Sequence, residues 1–247
     1  MMENFQYYAP TKVVFGKGTE NKAGQLVKEQ NCRKVLIHYG SGSVKRSGLL
    51  DRIFASLDEE GIFLYFFLEA SFRTPDCRLY MKESICCRRE GVDFILAVGG
   101  GSVDRLGESR LDTVVENEGD VWDFYERKRQ ACGCLPIGVV LTIAAAGSEM
   151  SDSSVITNEN GWLKRGYNSS YCRPKFAVMN PELTMTLPKY QTASGCVDIM
   201  MHTMERYFNH CDNMELTDGI SEHLLRTVMK NAKILMDEHS AIKQGQK

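Results

Sequence analysis

Asp198 and His202 are the residues whose types and spacing most directly suggest chemistry. They stand four residues apart in a stretch whose apolar residues recur at helical spacing, so both side chains are expected on one face of a helix. A carboxylate and an imidazole placed in this way can hold a divalent metal ion, and Glu205 falls on the same side. A hydrogen bond on the surface of a helix would use the same spacing. The pair alone therefore leaves a metal site and a structural contact both open.

A run of three glycines, Gly99-Gly100-Gly101, and then Ser102 come directly after the apolar residues 94–98. Glycines at the carboxyl end of a buried strand let the backbone approach a diphosphate closely, and the amides of such a turn can point at phosphate oxygens. An ordinary tight turn is the alternative. The position directly after a strand favours phosphate binding and predicts a nucleotide site.

A second predicted strand exit carries small residues beside two cations. Gly40, Gly42 and Ser43 precede Lys45 and Arg46. Small residues next to cations suit the ribose 2′-phosphate of a cofactor, which favours NADP(H) over NAD(H). A surface loop with solvated charges explains the same residues equally well.

The bulk composition excludes several other kinds of partner. The formal net charge is −2 over 247 residues, which gives no electrostatic case for nucleic acid or for an anionic membrane surface. No apolar run is long enough to span a bilayer, and residues 1–10 have neither the basic nor the apolar region of a signal peptide. The nine cysteines are odd in number and lack zinc-binding spacing, which indicates reduced thiols in a cytoplasmic protein.

The elements that must position these residues alternate along the first part of the chain. Short apolar runs predict strands at residues 12–15, 34–39, 62–68 and 94–98, and all but the third end at a glycine. Helical spacing between them predicts an α/β domain over residues 1–188, with a parallel sheet and flanking helices.

From Pro188 onward only helical spacing remains. Residues 192–208 and 214–236 predict two helices, the first capped by Thr192 or Ser194. We therefore expect residues 189–247 to form the start of an all-helical domain that is incomplete.

Two further runs show a family resemblance. Residues 133–143 followed by Ala146-Gly147-Ser148-Glu149-Met150-Ser151 resemble the central signature of the iron-type (group III) alcohol dehydrogenases, and the branch most similar is the NAD(P)H-dependent butanol dehydrogenase type. Residues 195–202, Gly-Cys-Val-Asp-Ile-Met-Met-His, resemble the metal-ligand helix of that family. With the two glycine-rich turns in the right order, the resemblance covers nearly the whole chain.

The resemblance implies an NAD(P)(H)-binding α/β domain, a helical domain and an active site in the cleft between them. A metal ion, Fe²⁺ or Zn²⁺, held by one aspartate and three histidines would polarise the oxygen of a primary alcohol or aldehyde such as butanol or butyraldehyde. The metal ligands in this chain would be Asp198 and His202. The residues implied in cofactor binding are Gly40, Gly42, Ser43, Lys45, Gly99, Gly100, Gly101, Ser102, Thr142, Ser151, Ser153 and Lys164. A homodimer is the expected assembly.

Three stretches depart from the family pattern. Residues 73–75 replace Pro-Asn-Pro, residues 104–110 replace Ile-Asp-Ser-Ala-Lys-Ala, and the sequence contains no match for the two later histidine ligands. Permitted codons for residues 70–87, 104–110 and 241–247 give family-like sequences when they are read in a shifted frame. This pattern suggests local frameshifts in the gene, and it predicts weak metal binding and little or no dehydrogenase activity for these 247 residues.

Two other interpretations stand beside a working dehydrogenase. One is a catalytically inactive, frame-damaged remnant that retains at most nucleotide or subunit binding. The other is a metal-dependent relative of the glycerol dehydrogenase or dehydroquinate synthase type, against which the stretch 146–149 argues.

Overall fold

The N-terminal part of the chain forms a six-stranded, all-parallel sheet. The computed structural model describes residue 4 and residues 6–40, 42–69, 89–100 and 120–244. The strands of this sheet are β1 (Lys12–Phe15), β2 (Lys34–Tyr39), β3 (Phe63–Glu69), β4 (Phe94–Gly99), β5 (Ile137–Leu141) and β8 (Phe176–Met179). Their order across the sheet is β1-β8-β5-β4-β2-β3. The predicted parallel α/β architecture is confirmed.

Three adjacent inner strands, β5, β4 and β2, are buried along nearly their whole length. Every residue of β4 and β5 is buried, and so is every residue of β2 after Lys34. This burial explains why the strands are continuous apolar runs, because a parallel sheet is covered on both faces. Gly138 of β5 leaves room for the ring of Phe176, since a Cβ there would lie 2.2 Å from Phe176 Cζ. The Phe176 ring in turn stacks on Phe94 at 5.7 Å between ring centroids.

Three helices flank the strands near the N-terminus: α1 (Ala23–Lys28), α2 (Ser43–Arg46) and α3 (Leu49–Glu59). The buried residues of α3 include Leu49, Ile53 and Leu57, which recur every four residues and so form one apolar face. Gly24 of α1 allows close packing on α3, because a Cβ there would lie 1.9 Å from the carbonyl oxygen of Ser56. The Gly24 N–H also donates to Ser56 Oγ at 3.0 Å.

A short helix and a hairpin form a second small core in the same unit. Helix α4 (Trp122–Tyr125) packs against the antiparallel strands β6 (Ser153–Asn158) and β7 (Leu163–Asn168). Tyr125 Oη and Ser154 Oγ share a buried hydrogen bond of 2.7 Å. This hairpin was not predicted from the sequence, although its turn contains Asn160-Gly161, a common hairpin signal.

The chain divides into two compact units. The first comprises residues 1–142 and 147–181, and the second comprises residues 143–146 and 182–247. The second unit contains the packed helices α5 (Lys189–Tyr207) and α6 (Glu215–Gln244). A division was expected at residue 188. The structure places it after Pro181 and adds the short segment 143–146 to the helical unit.

The predicted helix cap is wrong. Helix α5 starts at Lys189, and the N–H groups of Gln191 and Thr192 donate to the Pro188 carbonyl at 2.8 and 3.2 Å. Thr192 and Ser194 therefore lie inside the helix, because its first turn forms earlier than the apolar pattern indicates.

None of the helices in the described part of the chain is both long enough and apolar enough to cross a membrane.

Candidate cofactor and metal sites

The carboxyl ends of β2, β4 and β5 meet at one edge of the sheet. The N–H of Gly40, directly after β2, donates to the Val98 carbonyl at 3.1 Å. The N–H of Thr142, directly after β5, donates to the Gly99 carbonyl at 2.8 Å. The structure therefore brings Gly40, Gly99 and Thr142 together, although they are far apart in the sequence.

The order of the strands reverses between β2 and β4. The chain passes from β2 outward to β3, whereas β4 is followed by β5 and later by β8 on the opposite side. In open α/β sheets, ligands bind in the crevice at such a reversal, outside the carboxyl ends of the strands. Gly40 directly follows β2 and Gly99 ends β4, the two strands that border the crevice, and Gly100 comes directly after Gly99. Gly101 and Ser102, which were also predicted here, lie outside the described residues.

The turn after β2 carries the two predicted cations close to small residues. Lys45 Nζ lies 5.0 Å from the centroid of the buried Tyr39 ring at the end of β2. Arg46 folds back over Gly42, where a Cβ would lie 2.9 Å from Arg46 Nη1. Ser43 and Lys45 are exposed on α2. The two positive charges therefore lie beside the exit of β2, where an anionic group of a cofactor could be held.

Ser151, Ser153 and Lys164 are only partly brought together. Ser151 Oγ accepts a hydrogen bond of 3.0 Å from the Ser153 N–H. Lys164 pairs with Thr157 in the hairpin, whereas Ser153 pairs with Asn168 at the other end of the ladder. The two pairs are four residue steps apart along the strands, a distance of about 13 Å. Ser153 and Lys164 share one face of the hairpin, but at this separation their side chains do not meet at one small ligand group.

Arg173 is a supporting residue that sequence reasoning missed. Its Nη1 donates to the Met150 carbonyl, and its Nη2 lies 3.0 Å from Asp152 Oδ2. Arg173 therefore holds both neighbours of Ser151 in place. Nothing in the local spacing predicts this contact, because Arg173 lies more than twenty residues further along the chain.

Glu149 precedes this segment and is partly buried. It lies in a 3₁₀ turn over Ser148–Met150 that follows Gly147, a glycine with φ of 75°. Burial raises the pKa of the Glu149 carboxyl above its ordinary value, because desolvation disfavours the charged form.

Asp198 and His202 lie on one face of α5 in the second unit. His202 Nε2 is 3.8 Å from Asp198 Oδ1, and His202 Nδ1 is 3.8 Å from Glu205 Oε2. Both distances are too long for a hydrogen bond, so the helix-surface hydrogen bond considered as an alternative does not form. Among the described residues, no group of three histidine, cysteine or acidic side chains is placed to hold a metal ion. The pair thus fits two ligands of a metal site but does not form a complete one.

Gly195 fixes this face of α5 against the segment 143–146. A Cβ at Gly195 would lie 2.6 Å from the Ala144 carbonyl oxygen, so the helix and the segment are in close contact there. Gly195, Asp198 and His202 follow the spacing of a single helix face. The glycine of the predicted ligand helix therefore has a packing role that sequence reasoning did not identify.

A family model described as iron-containing alcohol dehydrogenase matches residues 10–181. The probable NADH-dependent butanol dehydrogenase 2 of Bacillus subtilis (strain 168) is 42% identical over 241 residues, which are 96% of this chain and 60% of that protein. The NADPH-dependent aldehyde reductase of Escherichia coli (strain K12) is 32% identical, again over 96% of this chain and 60% of its own length.

The fold of this chain also matches that of a solved structure. The crystal structure of NADH-dependent butanol dehydrogenase A from Thermotoga maritima matches with a TM-score of 0.90 at 38% identity, over 96% of this chain and 58% of that one. The chain therefore spans about 60% of the length of the curated relatives that it matches.

Proposed function

The chain belongs to the iron-containing alcohol dehydrogenase family, and on that premise we propose that its site serves hydride transfer between NAD(P)(H) and a primary alcohol or aldehyde such as butanol or butyraldehyde. The observation that carries this proposal is the meeting of Gly40, Gly99 and Thr142 at the strand-order reversal. A dinucleotide is the ligand class that this position of an open α/β sheet favours.

The residues at this edge have distinct roles in the proposal. Gly99 and Gly100 let the backbone approach the diphosphate, and Gly40 and Gly42 do the same beside the adenosine ribose. Ser43 and Lys45 offer a hydroxyl and a charge to that end of the cofactor. Thr142 lies beside Gly99, and the Ser151 and Ser153 pair and Lys164 supply polar groups along the exposed face of the hairpin. Gly101 and Ser102 complete the glycine-rich turn in this proposal.

We assign the phosphorylated cofactor, NADP(H), because Lys45 and Arg46 both lie at the exit of β2. Lys45→Ala should then weaken NADPH binding several-fold and leave NADH binding nearly unchanged, because only NADPH carries the 2′-phosphate. Titration of each cofactor followed by its fluorescence measures this difference. Tighter binding of NADH than of NADPH to the parent chain would overturn the assignment. Several relatives are themselves named as NADH-dependent.

We assign Asp198 and His202 as two ligands of an Fe²⁺ or Zn²⁺ ion, with two further histidines supplied in the family by later helices. When bound, such an ion acts as a Lewis acid on the alcohol or aldehyde oxygen. Affinity depends on ligand number and preformed geometry, so two ligands hold the ion weakly. We therefore expect the purified 247-residue chain to carry little Fe or Zn and to reduce butyraldehyde with NADPH at most very slowly.

A second function is favoured by the incomplete ligand group, namely nucleotide or subunit binding without turnover. The two functions are separated by measuring bound Fe and Zn, NADPH affinity and butyraldehyde reduction on one preparation. Binding of NADPH without metal or turnover supports the second function. Metal bound at one ion per chain with sustained reduction supports a working dehydrogenase. No NADPH binding contradicts both the dehydrogenase and nucleotide binding.

We further propose a cytoplasmic location, supported by the odd number of cysteines, nine, and by their lack of zinc-binding spacing.

A further inference from the structure

A groove rich in hydrogen-bond donors lies in the first unit, and its Asn168 pairs across the hairpin with Ser153, one of the residues assigned above to the cofactor. Its volume is about 640 Å³, which suits a small molecule. The polar residues that line it come from the segment after α4 and from the end of β7: Arg127, Arg129, Gln130, Asn168, Ser169 and Ser170. The described lining contains no aspartate or glutamate. The groove therefore presents donors and positive charge without a competing carboxylate.

Arg127 occupies a backbone position that normally selects glycine. It follows the end of α4 with a φ of 59°, and the next N–H, that of Lys128, donates back to the Asp123 carbonyl at 2.9 Å. This pattern is a helix-terminating turn whose left-handed residue is usually glycine. The backbone at this turn places Arg127 among the residues that line the groove.

Arg129 is oriented by an aromatic ring. Its guanidinium carbon lies 5.0 Å from the centroid of Phe124, and Phe124 is fully buried. A guanidinium that stacks on an aromatic ring keeps its N–H groups free to donate, because they lie in the guanidinium plane and point away from the ring. Two of these N–H groups can donate together to two oxygens of a phosphate. The contact with Phe124 therefore fixes Arg129 without using its donors.

The carboxylate that directly precedes Arg127 in the chain, that of Glu126, is already paired. Glu126 lies 2.5 Å from Lys128 Nζ and 3.5 Å from Arg165 Nη1. The hydrogen bond from Lys128 lowers the pKa of Glu126, so this group is ionised and paired. Neither Arg127 nor Arg129 makes an ion pair with a carboxylate in the described ranges.

We propose that this groove binds the phosphate group of a small molecule, with Arg127 and Arg129 as its charged donors and Asn168, Ser169 and Ser170 as neutral ones. Two arginines match a doubly charged tetrahedral phosphate better than they match a single carboxylate, because each guanidinium can donate to a different pair of phosphate oxygens. The bound group is either free phosphate or a phosphate ester.

The test is calorimetric titration of the full 247-residue chain with inorganic phosphate, with glycerol 3-phosphate and with citrate. The double variant Arg127→Gly/Arg129→Gln removes both charges, and glycine at 127 relieves the backbone, so the variant should melt no lower than the parent. The double variant Arg33→Ala/Arg206→Ala removes two exposed arginines elsewhere and serves as the matched control.

We expect saturable binding of at least one of the two phosphate compounds, which becomes weaker by roughly tenfold or more in the groove variant and stays unchanged in the control. Tighter binding of glycerol 3-phosphate than of inorganic phosphate identifies an ester as the ligand, and the reverse order identifies free phosphate. Equal loss in both variants, no saturable phosphate binding or tighter binding of citrate overturns the proposal. NADPH affinity should be the same in both variants, and its loss in the groove variant would place the groove within the dinucleotide site instead.

Discussion

Glu20 shows at the scale of one residue how a buried charge holds the first unit together. Its side chain is only 4% exposed, and its two oxygens accept hydrogen bonds from Arg52 Nε at 3.0 Å and from Asn180 Nδ2 at 2.8 Å. These partners lie on α3 and directly after β8. A buried carboxylate is tolerated because both oxygens are satisfied, and it joins three parts of the chain that are distant in sequence.

Glu20→Gln should lower the free energy of unfolding by about 1–3 kcal/mol. The glutamine has an NH₂ group in place of one accepting oxygen, and this group cannot accept a hydrogen bond from Arg52 or Asn180. The matched control is Glu29→Gln, which alters an exposed ion pair with Lys12 at 2.6 Å and should cost less than about 1 kcal/mol. Urea unfolding of both variants measures the difference. Equal effects would show that burial of Glu20 carries no energetic weight.

Glu149 predicts a dependence of stability on pH. Its pKa is raised in the folded chain, so between the ordinary glutamate value and the raised value the folded state binds more protons than the unfolded state. Stability from this group is therefore present at low pH and is lost as the pH rises through that window. Glu149→Gln cannot ionise and should melt at a higher temperature than the parent at pH 7, with the gain shrinking toward about pH 4.

The control for this prediction is Glu59→Gln, which changes an exposed carboxyl at the end of α3. It should shift the melting temperature little across the same range. A gain in Glu149→Gln that is constant with pH would show that the effect does not come from ionisation.

At the scale of elements, glycines set how closely helices and strands approach. Gly195→Ala places a methyl group 2.6 Å from the Ala144 carbonyl oxygen, so α5 must move away from the segment 143–146. We expect a loss of about 1–3 kcal/mol in stability, the usual cost of overpacking. Urea unfolding followed by helical circular dichroism measures this loss.

Gly219 on α6 provides a control of opposite sign. A Cβ there meets nothing within 4 Å, so Gly219→Ala should stabilise the helix by about 0.5–1 kcal/mol. If Gly195→Ala were also stabilising, α5 would not be in close contact with Ala144.

Elements with a strong local pattern were predictable from the sequence, and the others were not. Strands β1, β2, β3 and β4 lie within a residue or two of their predicted bounds, because short apolar runs are local signals. Strand β5 was recognised only as part of a family signature, and β6, β7 and β8 were not identified. Most residues of β7 are exposed, so no apolar alternation marks it.

At the scale of the whole molecule, the chain consists of one α/β unit and one helical unit of the iron-containing alcohol dehydrogenase family. The glycines of the cofactor edge could be predicted because each directly follows its own strand. The contacts made by Arg173 and by Gly195 with Ala144 could not, because they join residues far apart in sequence. The segments 70–88 and 101–119, which contain two of the departures from the family pattern, lie outside the described residues.

The helical unit also exposes apolar side chains. Leu216, Ile220 and Leu224 recur every four residues on α6 and are 79%, 61% and 42% exposed. An apolar stripe of this kind is typical of a helix face that packs against other protein.

The central claim is that the reversal between β2 and β4 binds a nicotinamide dinucleotide, and direct titration of NADPH into the purified 247-residue chain tests it. We predict saturable binding of one molecule per chain. Gly100→Val should weaken this binding by about tenfold or more, because a side chain keeps the backbone away from the diphosphate. Gly219→Val, on α6 in the helical unit, where a Cβ meets nothing within 4 Å, should leave the binding unchanged. No saturable binding by the folded parent, or equal affinity in Gly100→Val, would contradict the account.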